Sequence, residues 1–485
     1  MPCHRSIMSE EKQGRPFFVI ALAVGMLGIL SLLPWGKLTD GFFKDFNLLE
    51  DVMPSRPDKN RIGNELVDPD LESALSEMSQ TVSDDMAGAS GSVADAAGGM
   101  DVAVESPVSE GAVIIEDYTS ARRGLSRFAQ ALDAGNSIVR VALVGDSYIE
   151  GDVLCQNLRE GLQAVYGGRG VGFMALHSDI PGFRQSVVQS DKGWKLHDLR
   201  KDKGHLGCWL AGVYATGETG AKASFKGVSR FDHASSWNRG TLLYVAADDG
   251  VVTLDAGTGP IEYRVTRSDS VQAIVVEGEM KQLKIENRSV NGFDALGLWL
   301  DGGSGVSVDC MSLRGNSGAA LRRLDAGLVG QMRRWIDYDL IIVEYGLNAV
   351  SSQQSDYSAY GKLMEQVIGG IMALYPGADI LVMGIGDRGQ KQGSEVHSLP
   401  TVDNMVATQR EMARRLGVLF WDTRMAMGGA DAVVDWRKRG LVNADYIHLN
   451  HKGGEVLGKK LGGAELAGYL VDAIVKAAPL GSRHD

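Results

Sequence analysis

Continuous apolar runs alternate with segments of helical periodicity through most of the chain after residue 113. The runs are rich in Val, Ile and Leu, which is typical of strands buried in a parallel sheet. They lie at 138–144, 306–310, 340–345, 379–384 and 418–421. Helices are predicted at 118–134, from just after Ser147 to about 166, and at 319–336, 356–374, 402–416 and from about 452 to 477. This alternation predicts a doubly wound α/β fold with a parallel five-stranded sheet.

The helical period is absent between residues 180 and 305, where short β-like runs are separated by Asp-Gly and Gly-Pro turns. Such spacing is typical of a β-sandwich, so an all-β domain is predicted to be inserted in the α/β domain. The α/β domain would then consist of residues 113–179 and 306–485. Five aromatic residues of the insert have two possible roles, filling its core or presenting rings to sugars: Trp194, Trp209, Tyr214, Trp237 and Trp299.

An uncharged apolar run covers residues 17–35, which is long enough to span a bilayer. Basic residues precede it, which predicts a cytoplasmic segment at 1–16 and an exported body. We therefore expect a single-pass anchor in the cell inner membrane, with the catalytic body in the periplasm. The alternative is a cleaved signal peptide, although bulky residues at 32–36 do not form a clear small-x-small cleavage site.

The acidic charge is concentrated before the α/β domain. Residues 40–110 contain 16 Asp or Glu and 4 Lys or Arg, a balance of −12 that equals the net charge of the whole chain. This composition predicts a disordered acidic linker over residues 36–112. The remainder is close to neutral and has no basic stripe, which argues against nucleic acid as a partner.

Four cysteines are present, one of which, Cys3, precedes the apolar run. Of the other three, Cys208 and Cys310 could form a disulfide in an oxidising compartment, or Cys155, Cys208 and Cys310 could remain buried thiols. Their spacing does not indicate a zinc site. No metal or cofactor is therefore expected.

The candidate chemistry begins with Gly145-Asp146-Ser147, directly after the first predicted parallel strand. A serine in a tight turn at a strand end can act as a nucleophile, and free backbone N–H groups there can stabilise an oxyanion. Near the other end of the sequence, Asp445 precedes His448 by three residues, so its carboxylate can orient the imidazole as a general base. His451 is a nearby competitor for that role.

Two further strand ends carry candidate oxyanion donors. The strand at 306–310 leads into Asn316-Ser317-Gly318, and the strand at 340–345 leads into Gly346-Leu347-Asn348. The carboxyl ends of parallel strands meet in one crevice. We therefore expect the N–H groups of Ser147 and Gly318 and the side-chain amide of Asn348 to lie together.

These four blocks, in this order, resemble the SGNH/GDSL hydrolase family of serine esterases. Position by position, the resemblance implies the nucleophile at Ser147, oxyanion donors at Gly318 and Asn348, and the Asp and His of a triad at Asp445 and His448. Two positions depart from the usual pattern: Tyr148 replaces the common Leu or His, and Ala349 replaces the common Asp. Both departures leave the substrate subclass open.

The layout from about residue 115 onward is similar to that of peptidoglycan O-acetylesterases of this family, which carry a carbohydrate-binding-like β-domain between the Ser and Gly blocks. The resemblance implies that an O-acetylated polysaccharide is the substrate and that an acyl-serine forms. An O-acetyltransferase would use the same acyl-serine, and a glycan-binding protein without activity is a further alternative. Each block also has a plainer interpretation as a helix cap or a loop glycine.

Overall fold

The central sheet of the α/β domain brings the ends of its strands to one edge. The computed structural model describes residues 68–86, 115–135, 137–198, 200 and 205–465. Its strands are β1 (Glu116–Asp117), β2 (Ile138–Gly145), β3 (Gly170–Met174), β4 (Val187–Asp198), β5 (Val213–Gly227), β6 (Trp237–Ala246), β7 (Gly250–Asp255), β8 (Pro260–Val265), β9 (Ser268–Met280), β10 (Gln282–Asn287), β11 (Phe293–Asp301), β12 (Gly305–Ser312), β13 (Leu340–Glu344), β14 (Asp379–Met383), β15 (Gly389–Gln392), β16 (Glu395–Ser398) and β17 (Leu419–Trp421). Its α-helices are α1 (Pro69–Met86), α2 (Ser126–Ala134), α3 (Cys155–Tyr166), α4 (Ala326–Met332), α5 (Ser358–Leu374), α6 (Val402–Leu416), α7 (Thr423–Met427), α8 (Ala432–Lys438) and α9 (His451–Lys459).

The sheet has the strand order β1-β17-β14-β13-β2-β12. Five of these strands are parallel, as predicted, and the two-residue strand β1 adds an antiparallel edge. Strand β2 lies between β12 and β13, with Gly145 in register with Ser312 on one side and Glu344 on the other. The loops that follow β12, β2 and β13 therefore lie side by side.

Helices cover the sheet and bury its apolar strands. Strands β2 and β13 are buried almost throughout, as expected from their continuous Val, Ile and Leu runs. Helix α3 packs against β12 and α9, and α5 packs against α6. This packing fixes the segment after β2 and the segment that carries His448 relative to each other.

The insert is an antiparallel β-domain, but its hydrogen bonding differs from the predicted two-sheet sandwich. Nine strands, β3 to β11, form one continuous sheet in which the 15-residue strand β5 pairs with β4, β10 and β11. Because β3 pairs with β11, the domain begins at Gly170 rather than at residue 180. The predicted end agrees, since β12 returns to the parallel sheet.

The five aromatic residues that were candidates for sugar contact are all buried. Trp194 is 6% exposed, and the other four, Trp209, Tyr214, Trp237 and Trp299, are 1% exposed or less. They fill the two hydrophobic cores of the molecule. The sugar-binding alternative for these rings is therefore wrong.

Two of the predicted helices begin later in the structure than the sequence pattern indicates, and a 3₁₀ turn precedes each of them. After Ser147 the chain forms a short 3₁₀ turn at Glu150–Asp152, and α3 begins only at Cys155. Gly151 and Asp152 have φ near +67°, which interrupts a right-handed helix. The predicted helix 319–336 is a 3₁₀ turn at Ala319–Arg323 followed by the short α4.

Part of the tract predicted to be a disordered linker forms helix α1, which is a correction for residues 68–86. Ala74 of α1 is buried in a small cluster with Ala319 and Leu363, so the helix docks on the α/β domain. The remainder of the linker and the predicted anchor at 17–35 lie outside the described residues. Within the described residues, no helix combines the length and hydropathy needed to cross a bilayer.

Candidate active site

Three side chains that are distant in sequence form a hydrogen-bonded chain. Ser147 Oγ lies 2.8 Å from His448 Nε2, and His448 Nδ1 lies 2.8 Å from Asp445 Oδ2. The predicted alternative base, His451, instead places its Nδ1 3.4 Å from Gln156 Nε2. The structure thus brings together the three residues that the sequence nominated as a triad.

Strand β2 positions the serine through a turn that has no room for a larger residue. A Cβ atom at Gly145 would lie 2.6 Å from Glu344 Oε2, so only glycine fits there. The next residue, Asp146, is fully buried, and its Oδ1 accepts a hydrogen bond of 2.8 Å from the N–H of Tyr148. This bond closes the turn around Ser147 and leaves its side chain partly exposed.

A second turn fixes the histidine. Asp445 Oδ1 accepts hydrogen bonds from the N–H groups of Ile447 and His448, while its Oδ2 accepts from the imidazole. Tyr446, between them, has φ of +57°, a strained conformation for a non-glycine residue. Asn450 then caps helix α9 by accepting from the N–H groups of Lys452 and Gly453. Asp445 and His448, three residues apart, are therefore brought together by this turn and not by a helix.

The environment keeps the Asp445 carboxylate charged. Burial by itself would raise its pKa, but the imidazole and two backbone N–H groups outweigh burial and hold the pKa below its ordinary value. An ionised Asp445 leaves one His448 nitrogen, Nε2, to accept the serine proton.

A second pair of carboxyl groups lies behind the nucleophile. Burial raises the pKa of Asp146 to about 6, although hydrogen bonds from Tyr148 and Asn348 oppose this change. Burial and the neighbouring Asp146 charge raise the pKa of Glu344 well above its ordinary value.

The two predicted oxyanion donors of the neighbouring loops are already engaged. The N–H of Gly318 donates to Asn316 Oδ1 at 2.9 Å. Asn348 Nδ2 donates to Asp146 Oδ2 at 2.7 Å and to the Asn316 carbonyl oxygen at 3.1 Å. Both residues lie in the predicted loops, but their hydrogen bonds tie those loops to the nucleophile turn rather than pointing at a substrate.

Free donors occur at two other backbone groups. The N–H groups of Ser147 and Gly315 donate to no other group in the described part of the chain. Gly315 precedes Asn316 on the same loop, is partly exposed and has φ of +73°. The sequence pattern did not nominate Gly315 as a donor, although the Arg314-Gly315-Asn316 turn directly after a strand is similar to the segment that contains Gly318.

A cavity of about 430 Å³ lies beside the nucleophile turn. Its walls come from that turn (Glu150), from the loop after β12 (Ser312, Arg314) and from the β-domain (Gln189, Leu196). The cavity is therefore bounded by both domains.

An exposed aromatic ring lies close to the same place. Phe183 is 36% exposed, and its ring centre is 5.1 Å from that of His451. Phe183 is not among the five aromatic residues that the sequence pattern nominated for sugar contact. Its position after Pro181-Gly182 in a turn was the available signal.

In the part of the chain that the structure describes, one group of side chains offers metal-ligand atoms, namely Asp152, Cys155 and Cys310. Arg159 occupies the position of a cation there, because its two terminal nitrogens donate to both Asp152 oxygens and one also contacts Cys155 Sγ. The charge of Asp152 is thus already balanced. All three described cysteines, Cys155, Cys208 and Cys310, are free thiols, so the proposed Cys208–Cys310 disulfide is wrong.

A serine hydroxyl, an imidazole and a carboxylate at the carboxyl edge of a parallel sheet define the class of a hydrolase. Residues 287–456 match the model of the GDSL-like lipase/acylhydrolase family. This segment includes Asn348, Asp445 and His448, whereas Ser147 precedes it because the β-domain intervenes.

A solved structure shares the fold. A peptidoglycan O-acetylesterase superposes with a TM-score of 0.62 at 21% sequence identity, covering 75% of this chain and 99% of that one. A family two carbohydrate esterase from Cellvibrio japonicus has 14% identity and a TM-score of 0.26, covering 60% of this chain and 99% of the other. No curated protein sequence matches this chain. The chain therefore carries a segment similar to GDSL-like acylhydrolases and shares the fold of the peptidoglycan O-acetylesterase.

Proposed function

We propose that this ester hydrolase removes O-acetyl groups from a cell-envelope glycan, namely peptidoglycan, through an acyl-serine intermediate. The observation that carries the proposal is the continuous hydrogen-bonded chain from Ser147 through His448 to Asp445. The choice of substrate is supported by the shared fold with a peptidoglycan O-acetylesterase.

In the first half of the reaction, Ser147 Oγ attacks the acetyl carbonyl carbon while its proton moves to His448 Nε2. Asp445 stabilises the resulting imidazolium. The tetrahedral intermediate then collapses, the bond to the sugar oxygen breaks, and that oxygen takes the proton from His448. The acetyl group remains on Ser147.

In the second half, water attacks the acyl-serine. His448 accepts a proton from the water, and the second tetrahedral intermediate releases acetate as Ser147 regains its proton. No cofactor is required in either half.

The N–H groups of Ser147 and Gly315 are the donors that we assign to the oxyanion, because they have no partner among the described residues. A well-placed donor of this kind contributes about 3 kcal/mol to transition-state stabilisation. Gly318 and Asn348 then act as supports, since their hydrogen bonds hold the loop after β12 against the nucleophile turn.

The glycan is assigned to the cavity of about 430 Å³ that is lined by Glu150 and Gly151 of the segment after Ser147. Charged and amide side chains there, including Arg314 and Gln189, can donate to sugar hydroxyls. The exposed ring of Phe183 offers an apolar face to a sugar ring. The β-domain would therefore act as a carbohydrate-binding wall of the active site rather than as a separate module.

The predicted inner-membrane anchor at residues 17–35 fits this role, because a body facing the periplasm would meet the cell wall. The acidic linker would let the catalytic body extend from the membrane to the cell wall. Both remain proposals drawn from the sequence pattern.

The decisive experiment measures acetate release from purified O-acetylated peptidoglycan by the full-length protein, with Ser147→Ala as the inactive partner. Ser355→Ala is a matched control, since Ser355 is exposed and its hydroxyl has no assigned role. We expect wild type and Ser355→Ala to release acetate and Ser147→Ala to lose at least about 10³-fold in rate.

Absence of acetate release by wild type would reject this substrate. If the same preparation hydrolysed a simple acetate ester such as p-nitrophenyl acetate, the protein would still be an esterase, but with another substrate. Repeating the assay with a deacetylated glycan as acceptor tests the transferase alternative, in which acetyl groups appear on the acceptor instead of in solution.

A further inference from the structure

We infer that Asp68, from the segment before helix α1, is a positioning residue of the active site. It lies far from the triad in sequence and outside the predicted α/β domain. Its role rests on the proposed function of the loop after β12, which carries Gly315.

The Asp68 carboxylate is buried against that loop. It is 2% exposed, and its Oδ2 accepts a hydrogen bond of 2.7 Å from the N–H of Ser317. Its Oδ1 accepts from the N–H of Asp70 at 3.1 Å, which also starts helix α1. Hydrogen bonds from backbone N–H groups to a carboxylate are stronger than those between neutral groups.

The other groups of the loop are held from inside the α/β domain. The Ser317 carbonyl oxygen accepts from the hydroxyl of Tyr360 at 2.8 Å, and the Asn316 carbonyl oxygen accepts from Asn348. Ser317 itself is fully buried. Asp68 thus supplies the partner that the Ser317 N–H would otherwise lack in an interior position.

Helix α1 keeps Asp68 in place through packing and charge. Ala74 is 1% exposed and packs with Ala319 and Leu363. On the surface, Glu77 pairs with Arg322 at 2.6 Å and Asp70 with Arg323 at 3.5 Å. These contacts all fall on the 3₁₀ turn that follows Gly318 or on α5, so the helix braces the part of the loop next to the oxyanion donors.

Loss of the Asp68 hydrogen bond should shift the loop rather than the substrate pocket. Small displacements of catalytic groups lower the rate about 10- to 100-fold. We therefore expect Asp68→Ala in the full-length protein to lower kcat on p-nitrophenyl acetate by that factor, with KM changed less than about twofold. Asp68→Asn retains an acceptor oxygen and should recover most of the rate, and Glu72→Ala, which removes an exposed carboxylate of the same helix, should behave like wild type.

Hydrogen exchange provides a readout that is independent of activity. Backbone amides of the peptide 313–321 should exchange faster in Asp68→Ala, whereas those of β13 should not change. If Asp68→Ala fails to fold, Ala74→Lys takes its place, because it prevents α1 from docking while leaving the sheet intact.

Wild-type kcat together with wild-type exchange at 313–321 in either variant would overturn the inference. If the wild-type protein hydrolyses no ester, the proposed function fails, and the exchange of 313–321 alone decides the role of Asp68. If Ser147→Ala is inactive and Asp68→Ala is fully active, the proposed function stands and this inference falls.

Discussion

Asn348 Nδ2 lies 2.7 Å from Asp146 Oδ2, so the loop after β13 is fastened to the residue that precedes the nucleophile. The same amide also reaches the loop after β12. One side chain therefore holds three neighbouring strand ends in register.

Asn348→Ala should lower kcat about 10²-fold, because it releases the hydrogen bonds that hold three strand ends in place, and a misplacement of catalytic groups by about 1 Å costs that factor. It takes from Asp146 a hydrogen bond that lowers the pKa of that carboxyl, so the pKa should rise further. Steady-state kinetics on p-nitrophenyl acetate check the rate, with Asn404→Ala as a surface control, because the amide of Asn404 donates to the carbonyl oxygen of Ser355. Equal rates for the two variants would show that Asn348 is dispensable.

Asp445→Asn should keep the loop near its present shape but lose the charge that stabilises imidazolium. We expect kcat to fall about 10³- to 10⁴-fold. His451→Ala serves as the matched control, because His451 contacts Gln156 rather than Ser147. If His451→Ala lost most of its kcat while His448→Ala stayed active, His451 would be the general base and the assignment of His448 would be refuted.

Phe183→Ala should raise KM for O-acetylated glycan about fivefold, since contact of an aromatic ring with a sugar face contributes on the order of 1 kcal/mol. KM for p-nitrophenyl acetate should hardly change, because that ester has no sugar. Trp335→Ala is the control, as Trp335 is 46% exposed and lies after α4. Parallel loss on both substrates would instead mean that Phe183 supports His451 and the triad.

The pKa of Asp146, raised to about 6 by burial, predicts a pH dependence of stability. A carboxyl group with a raised pKa in the folded state stabilises that state when protonated, so the contribution is complete below about pH 4 and is lost as the pH rises through 6. Between pH 7.5 and 5, wild type should gain about 1 kcal/mol relative to Asp146→Asn, which cannot titrate. Urea unfolding at both pH values measures the free energy of unfolding. An equal change between the two pH values in wild type and Asp146→Asn would contradict the prediction.

The sequence predicted the parallel sheet and the triad well, because both depend on local signals. Runs such as Leu340–Glu344 are buried on both faces and therefore apolar throughout. Ser147, Asp445 and His448 each follow or precede a recognisable strand or helix end. Strand order then brings them together without further information.

The supports of the site could not be predicted in the same way. Asp68 meets Ser317 across 249 positions, and nothing in an acidic, Ser-rich tract distinguishes one carboxylate from its neighbours. We assign the oxyanion to Gly315 rather than Gly318 because the N–H of Gly318 already donates to Asn316 Oδ1. The sequence alone does not show which N–H group this side chain binds. Likewise, the continuous sheet of the β-domain depends on the length of β5, whereas turn spacing suggested two sheets.

Because helix α1 holds Asp68 in place, proteolytic cleavage between this helix and the α/β domain would affect the catalytic rate. A protease that severed any bond within residues 87–114 would leave Ser147, Asp445 and His448 on one fragment and Asp68 on the other. Packing around Ala74, the hydrogen bond of Asp68 and the two ion pairs of Glu77 and Asp70 would then hold the pieces together without a covalent link. Shedding of the body followed by dilution would thus yield a slower enzyme, without any change in its catalytic residues.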